Sequence, residues 1–74
     1  MTLEELQFKL EVGIAVEFEH SGQKYFIRSE KERGRSSIYF GREHECGLKY
    51  DTFIQFMDEA MIGSQYLREY IRSV

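Results

Sequence analysis

The sequence predicts one small α+β domain spanning residues 1–74. Its elements follow the order α-β-β-β-α-α, with a three- or four-stranded antiparallel meander packed on one face by helices. Three observations carry that reading. A segment with both helix ends marked opens the chain. An alternating apolar and polar run precedes Ser21-Gly22 and a second strand-like run follows it, and a wide apolar stripe at helical spacing fills the last third.

The opening segment begins Thr2-Leu3-Glu4-Glu5. Threonine followed three residues later by glutamate is a capping box, in which each side chain satisfies a free backbone N–H at the helix start. Leu3, Leu6 and Leu10 recur at helical spacing, and Gly13 stands where a left-handed residue ends the helix. Ile14, Val16 and Phe18 then alternate with Glu17 and Glu19, as in a strand with one wet face. Residues 23–28 follow as the second strand of a hairpin. A two-residue turn at Ser21-Gly22 pairs His20 with Gln23, Glu19 with Lys24, Phe18 with Tyr25, Glu17 with Phe26 and Val16 with Ile27. That register gathers Val16, Phe18, Tyr25 and Ile27 on the core side. A one-residue slip would set the apolar residues of one strand against the charges of the other.

Residues 29–35 carry no hydrophobic side chain and are expected to form a charged loop. A third strand over 37–40 ends at Gly41, and 48–50 is long enough for a short fourth. Asp51 is the expected cap of a helix over 52–61, whose stripe comprises Phe53, Ile54, Phe56, Met57, Ala60 and Met61. Gly63-Ser64 interrupts it. Tyr66, Leu67, Tyr70 and Ile71 mark a short terminal helix with Ser64 as its cap.

Composition narrows the function classes. A chain of 74 residues buries only about 60–65% of its unfolded surface, so its core is thin and gains from an interface. The formal net charge of −3 argues against a nucleic-acid binder as a whole. One cysteine makes no internal disulfide. The acidic start lacks the pattern of a signal peptide, and no apolar run approaches the ~20 residues of a membrane span. The expected location is cytoplasmic.

The stretch GREHECGLKY sets His44, Glu45 and Cys46 between Gly41 and Gly47. A structural zinc site takes four ligands in paired spacings, which one cysteine beside one histidine does not supply. A catalytic Cys–His pair also needs an orienting group and an oxyanion pocket, and so small a domain has little room for them. The reading is a polar, glycine-bounded loop. No metal, cofactor or catalytic residue is assigned, and neither an enzyme nor a small-molecule substrate is expected.

Charge is uneven along the chain. Residues 21–45 hold six Lys or Arg against four glutamates, while the first twenty residues are acidic. Phe26, Tyr39 and Phe40 are interleaved with those cations, and aromatics beside arginines can stack single-stranded bases. The register puts Phe26 opposite the core, where a partner could cover it. The candidate contact residues are therefore Lys24, Phe26, Arg28, Arg33, Arg35, Tyr39 and Arg42.

The closing run, YFG followed by KYDTFIQFMDEAMIGSQYLREYI, resembles small proteins of Gram-positive bacteria and their prophages. Phe53, Phe56, Ala60, Ile62, Gly63 and Leu67 occupy the matching positions. The resemblance implies no activity and no site residues. These are positions that a core would demand in any case.

The expected function is thus a small non-enzymatic protein-interaction module of bacterial or prophage type, bound to another protein or to itself as a homodimer. Open sheet edges over 14–19 and 38–40, or the terminal helix, are the expected contacts. The alternative is a weak nucleic-acid-binding domain using the basic 24–42 region.

Overall fold

In a computed structural model, which describes residues 1–73, the first helix α1 is Leu3–Glu11 and is capped as its sequence demands. Thr2 Oγ1 accepts a hydrogen bond from the Glu5 N–H at 3.1 Å, Leu6 and Leu10 are buried, and Gly13 takes φ +83° just past the end. The helix end is tied to the sheet by the Ser29 hydroxyl, which donates to the Leu10 carbonyl at 2.6 Å.

Strands β1 (Val16–His20), β2 (Gln23–Glu32), β3 (Arg35–Arg42) and β4 (Leu48–Tyr50) form one antiparallel sheet in the order β1-β2-β3-β4. The β1–β2 register is the predicted one at every pair, from His20 opposite Gln23 to Val16 opposite Ile27. Ser21 and Gly22 both take positive φ, +52° and +76°, as a type I′ turn requires. Ile14 lies before the strand and is exposed, because the chain is still leaving α1 there, with the Ile14 N–H bonded to the Lys9 carbonyl at 2.8 Å.

The charged stretch 29–35 is not a loop. β2 and β3 continue through it, pairing Ser29 with Ile38 and onward to Glu32 with Arg35, around a second positive-φ turn at Arg33-Gly34. Backbone pairing needs no apolar side chain, and this tip is exposed, so the alternation that signals a strand is missing. β4 pairs Tyr50, Lys49 and Leu48 with Ile38, Tyr39 and Phe40. Residues 38–40 are therefore internal to the sheet, and its edge strands are β1 and β4.

Helix α2 is Phe53–Glu59, shorter than predicted, and Thr52 caps it instead of Asp51. Thr52 Oγ1 accepts from the Gln55 N–H at 3.0 Å, while Gln55 Oε1 reaches back to the Asp51 N–H at 3.1 Å. Ala60 then turns extended, and Met61–Ile62 (β5) pairs with Gln65–Tyr66 (β6) around Gly63-Ser64. Ser64 is accordingly a turn residue and caps nothing. α3 (Leu67–Ile71) begins one residue beyond β6, with Tyr66 in the cap position and no side-chain capping bond. Of the predicted stripe, Phe56, Met57 and Ala60 are buried and Phe53 is half-buried, whereas Ile54 and Met61 face outward.

Leu6, Leu10, Phe56, Met57, Leu67 and Ile71 from the three helices cover Val16, Ile27, Ile38, Phe40 and Tyr50 on one side of the sheet. An aromatic chain runs through this layer. Phe53 and Tyr50 pack on Phe56, which meets Phe40 edge-on at 6.0 Å, and Phe40 stacks with Tyr25 and Phe18. Arg68 of α3 donates to the Met57 carbonyl at 3.2 Å and fastens α3 to the end of α2.

Burial pushes the Tyr50 phenol above its usual pKa of 10.0, and the Glu59 carboxylate acts in the same direction. The proton is held more tightly in the folded state. This contribution to stability is therefore complete below pH 10 and is lost as pH rises through the raised value. Denaturant melts between about pH 9 and pH 11 are expected to show a smaller alkaline loss of stability for Tyr50→Phe than for the parent chain.

Candidate functional site

The pleat sends Glu17, Glu19, Lys24, Phe26, Arg28, Tyr39 and Lys49 to the side of the sheet away from the helices. Lys24 faces Glu19, Phe26 lies between Glu17 and Gly41, and Tyr39 lies between Arg28 and Lys49. Arg28 is the centre of this face. Its guanidinium sits 4.5 Å from the Tyr39 ring centroid and 5.8 Å from that of Phe26, and it ion-pairs with Glu30.

The connection between β3 and β4 crosses over this face. A side chain at Gly41 would place its Cβ 2.6 Å from the Gly47 Cα, so the two backbones pass directly against each other. Gly47, at φ +82°, also lies over the Phe26 ring, where an added Cβ would come within 3.0 Å of Phe26 Cζ. The Glu43 N–H donates to the Lys24 carbonyl at 2.9 Å, and His44 takes a left-handed φ of +77° to turn the chain. Phe26 is thus half-buried beneath the crossing loop and beside Arg28.

Between that loop and β1 lies a trough of 550 Å³. Glu17 and Glu19 form one wall, Glu43, His44 and Glu45 the other, and Lys24, Phe26 and Arg28 lie along it. Four carboxylates stand against two cations, one of which is already paired with Glu30.

The outer edge of β1 borders the same trough. A two-residue turn closes on a hydrogen-bonded pair, here His20 with Gln23. By the antiparallel alternation, Phe18 and Val16 also exchange bonds with β2, whereas the N–H and C=O groups of Glu17 and Glu19 point away from it. The Tyr70 hydroxyl confirms that direction by donating to the Glu19 carbonyl at 2.8 Å from outside the sheet. Tyr70 packs there against His20 edge-on at 4.8 Å and against Phe18 at 5.6 Å.

The seven predicted contact residues are not one patch. Lys24, Phe26, Arg28 and Tyr39 share the open face. Arg35 falls on the same side of the pleat, but it and Arg33 line a separate notch of 860 Å³ with Lys49, beside the β2–β3 tip. Arg42 falls on the opposite side of the pleat, in a groove with Cys46, Leu48 and Met61. Cys46 and His44 are exposed, and among the described residues no three His, Cys, Asp or Glu side chains are grouped to hold a metal ion. Glu17, Glu19, Glu43 and Glu45, none of them among the predicted contact residues, form the trough walls. Their alternation on β1 was visible, but the loop crossing that brings Glu43 and Glu45 opposite was not.

No family model matches the chain, nor does any curated protein or solved structure. Among the described residues no helix is long and apolar enough to cross a membrane.

Proposed function

We propose that this domain is a non-enzymatic, cytoplasmic protein-interaction module that takes an extended segment of its partner as an added strand on β1. One observation carries the reading. β1 is an edge strand whose Glu17 backbone groups point outward, beside an open trough on the sheet face. Strand addition supplies affinity through main-chain hydrogen bonds and selectivity through the side chains flanking the edge. The middle of the helix-covered side is filled by aromatic packing, and the β1 edge is the sheet edge that borders the open trough.

A second copy of the chain fits this edge poorly. In an antiparallel β1–β1 pairing centred on Glu17, the Glu17 carboxylates of the two copies stand directly opposite each other, and like charges so placed are destabilising. The nucleic-acid alternative has less support on the same face. Arg28 covers the aromatic rings that would stack bases, and the four trough carboxylates repel phosphates.

The test uses Glu17→Pro. Proline is tolerated on an edge strand where the missing N–H faces outward, yet it removes a donor that an added strand needs. The variant is expected to fold, with circular dichroism and a melting temperature close to the parent's. In affinity capture from nuclease-treated host lysate it should lose the partner that the parent retains. Equal retention of every partner by the two proteins would overturn the edge-docking reading.

A further inference from the structure

We infer that the segment received by β1 is basic, with Lys or Arg at alternate positions on the trough side and apolar residues between them. The inference rests on the strand-addition reading and adds the chemistry of the partner. An added strand continues the pleat, so its side chains alternate between the two sides of the sheet.

Those on the open side come to lie beside Glu17 and Glu19, in a trough whose far wall carries Glu43 and Glu45. The local cations do not neutralise these groups. Lys24 is cross-strand from Glu19 alone, and Arg28 is held by Glu30 and the Tyr39 ring. Opposite-charge neighbours across adjacent strands stabilise pairing, whereas an acidic segment would place carboxylate beside carboxylate.

Side chains on the other side of the added strand meet a different surface. Phe18 and Tyr70 are half-buried there, their rings in contact at 5.6 Å, and apolar side chains would cover the part left exposed. At the foot of β1, Ile14 is 49% exposed and Val12 54% exposed, which extends the apolar surface beyond the strand. The Tyr70 hydroxyl already occupies the Glu19 carbonyl, so the new ladder centres on Glu17.

Three labelled, end-capped peptides of equal length test this by fluorescence anisotropy at low salt. They alternate valine with lysine, with threonine or with glutamate. The lysine peptide is expected to bind about tenfold or more tighter than the glutamate peptide, with affinity falling as salt is added. Glu17→Lys with Glu19→Lys should reverse the order. The same charge change placed on α1, by Glu5→Lys with Glu11→Lys, should leave it as it was. Glu17→Pro should abolish binding of all three. If the three peptides bind the parent equally and Glu17→Pro abolishes them all, the basic partner is wrong and edge docking stands. If α1 reversal changes the order as much as β1 reversal, general charge attraction replaces the trough. Binding that is absent, or indifferent to Glu17→Pro, would overturn the inference and the strand-addition reading together.

Discussion

Replacing Phe56 with alanine is expected to destabilise the domain by about 3–5 kcal/mol, the largest effect of any single substitution considered. Phe56 is fully buried and is the ring through which the aromatic layer reaches α2. It meets Tyr50 at 5.3 Å, Phe40 at 6.0 Å and Phe53 at 6.3 Å. Removing it takes away the transfer free energy of one large side chain and leaves a void that three other rings border. A chain of 74 residues has a total stability of roughly 4–11 kcal/mol, so one such loss approaches the lower end of the whole. The melting temperature should fall by roughly 12–40 °C. Phe56→Leu keeps most of the buried area and should lose much less. Urea titration of the three proteins by circular dichroism gives the comparison, and a Phe56→Ala midpoint near the parent's would mean that α2 is not seated on the sheet as described.

The second large effect is expected at the glycine pair that carries the loop over the open face. Gly41→Ala would drive a methyl group to 2.6 Å from the Gly47 Cα and 3.2 Å from its nitrogen, and both are backbone atoms that no rotamer change can move. Gly47→Ala meets Phe26 and the Phe40 carbonyl at 3.0 Å and also forces an L-residue to φ +82°. Each is expected to cost about 1–3 kcal/mol. Gly34→Ala serves as the control. Its φ is +80°, but nothing stands within 4 Å of the added carbon, so it should cost only the ~1 kcal/mol of left-handed strain. The functional consequence is more specific than the loss of stability. Lifting the loop carries Glu43 and Glu45 away from Glu17 and Glu19, so Gly41→Ala should weaken lysine-peptide binding even at temperatures where the domain remains folded.

The fold was legible wherever two independent signals had to agree. In the first hairpin the alternation of β1 and the two-residue Ser-Gly turn point to one register, and that register is the one observed. The helix α1 was equally well marked, by Thr2 at one end and Gly13 at the other. The β2–β3 tip was not legible, because residues 30–36 are exposed with no buried side to impose alternation, and Arg-Gly is a weaker turn signal than Ser-Gly. Gly63-Ser64 interrupts a helical stripe in the sequence, yet the two residues on either side pair as strands. The Leu67 N–H bonds the Ala60 carbonyl at 2.9 Å, one rung beyond the Met61–Tyr66 pair, and Ile62 and Leu67 are buried in the core. At the site, the sequence placed Phe26 on the face away from the core with Lys24 and Arg28, but not Arg33, Arg35 or Arg42, beside it. It could not show the carboxylates opposite them, since their position depends on Gly41 and Gly47 packing back to back.

Residue-resolved amide hydrogen exchange by NMR, with and without the lysine peptide, tests the docking edge most directly. In the free protein the Phe18 amide, bonded into the β1–β2 ladder, should exchange slowly, and the Glu17 amide, pointing outward, should exchange quickly. Peptide should slow Glu17 strongly while leaving Phe18 nearly unchanged. A Glu17 amide already protected in the free protein, or one that exchanges at the same rate when peptide is bound, would contradict strand addition at β1.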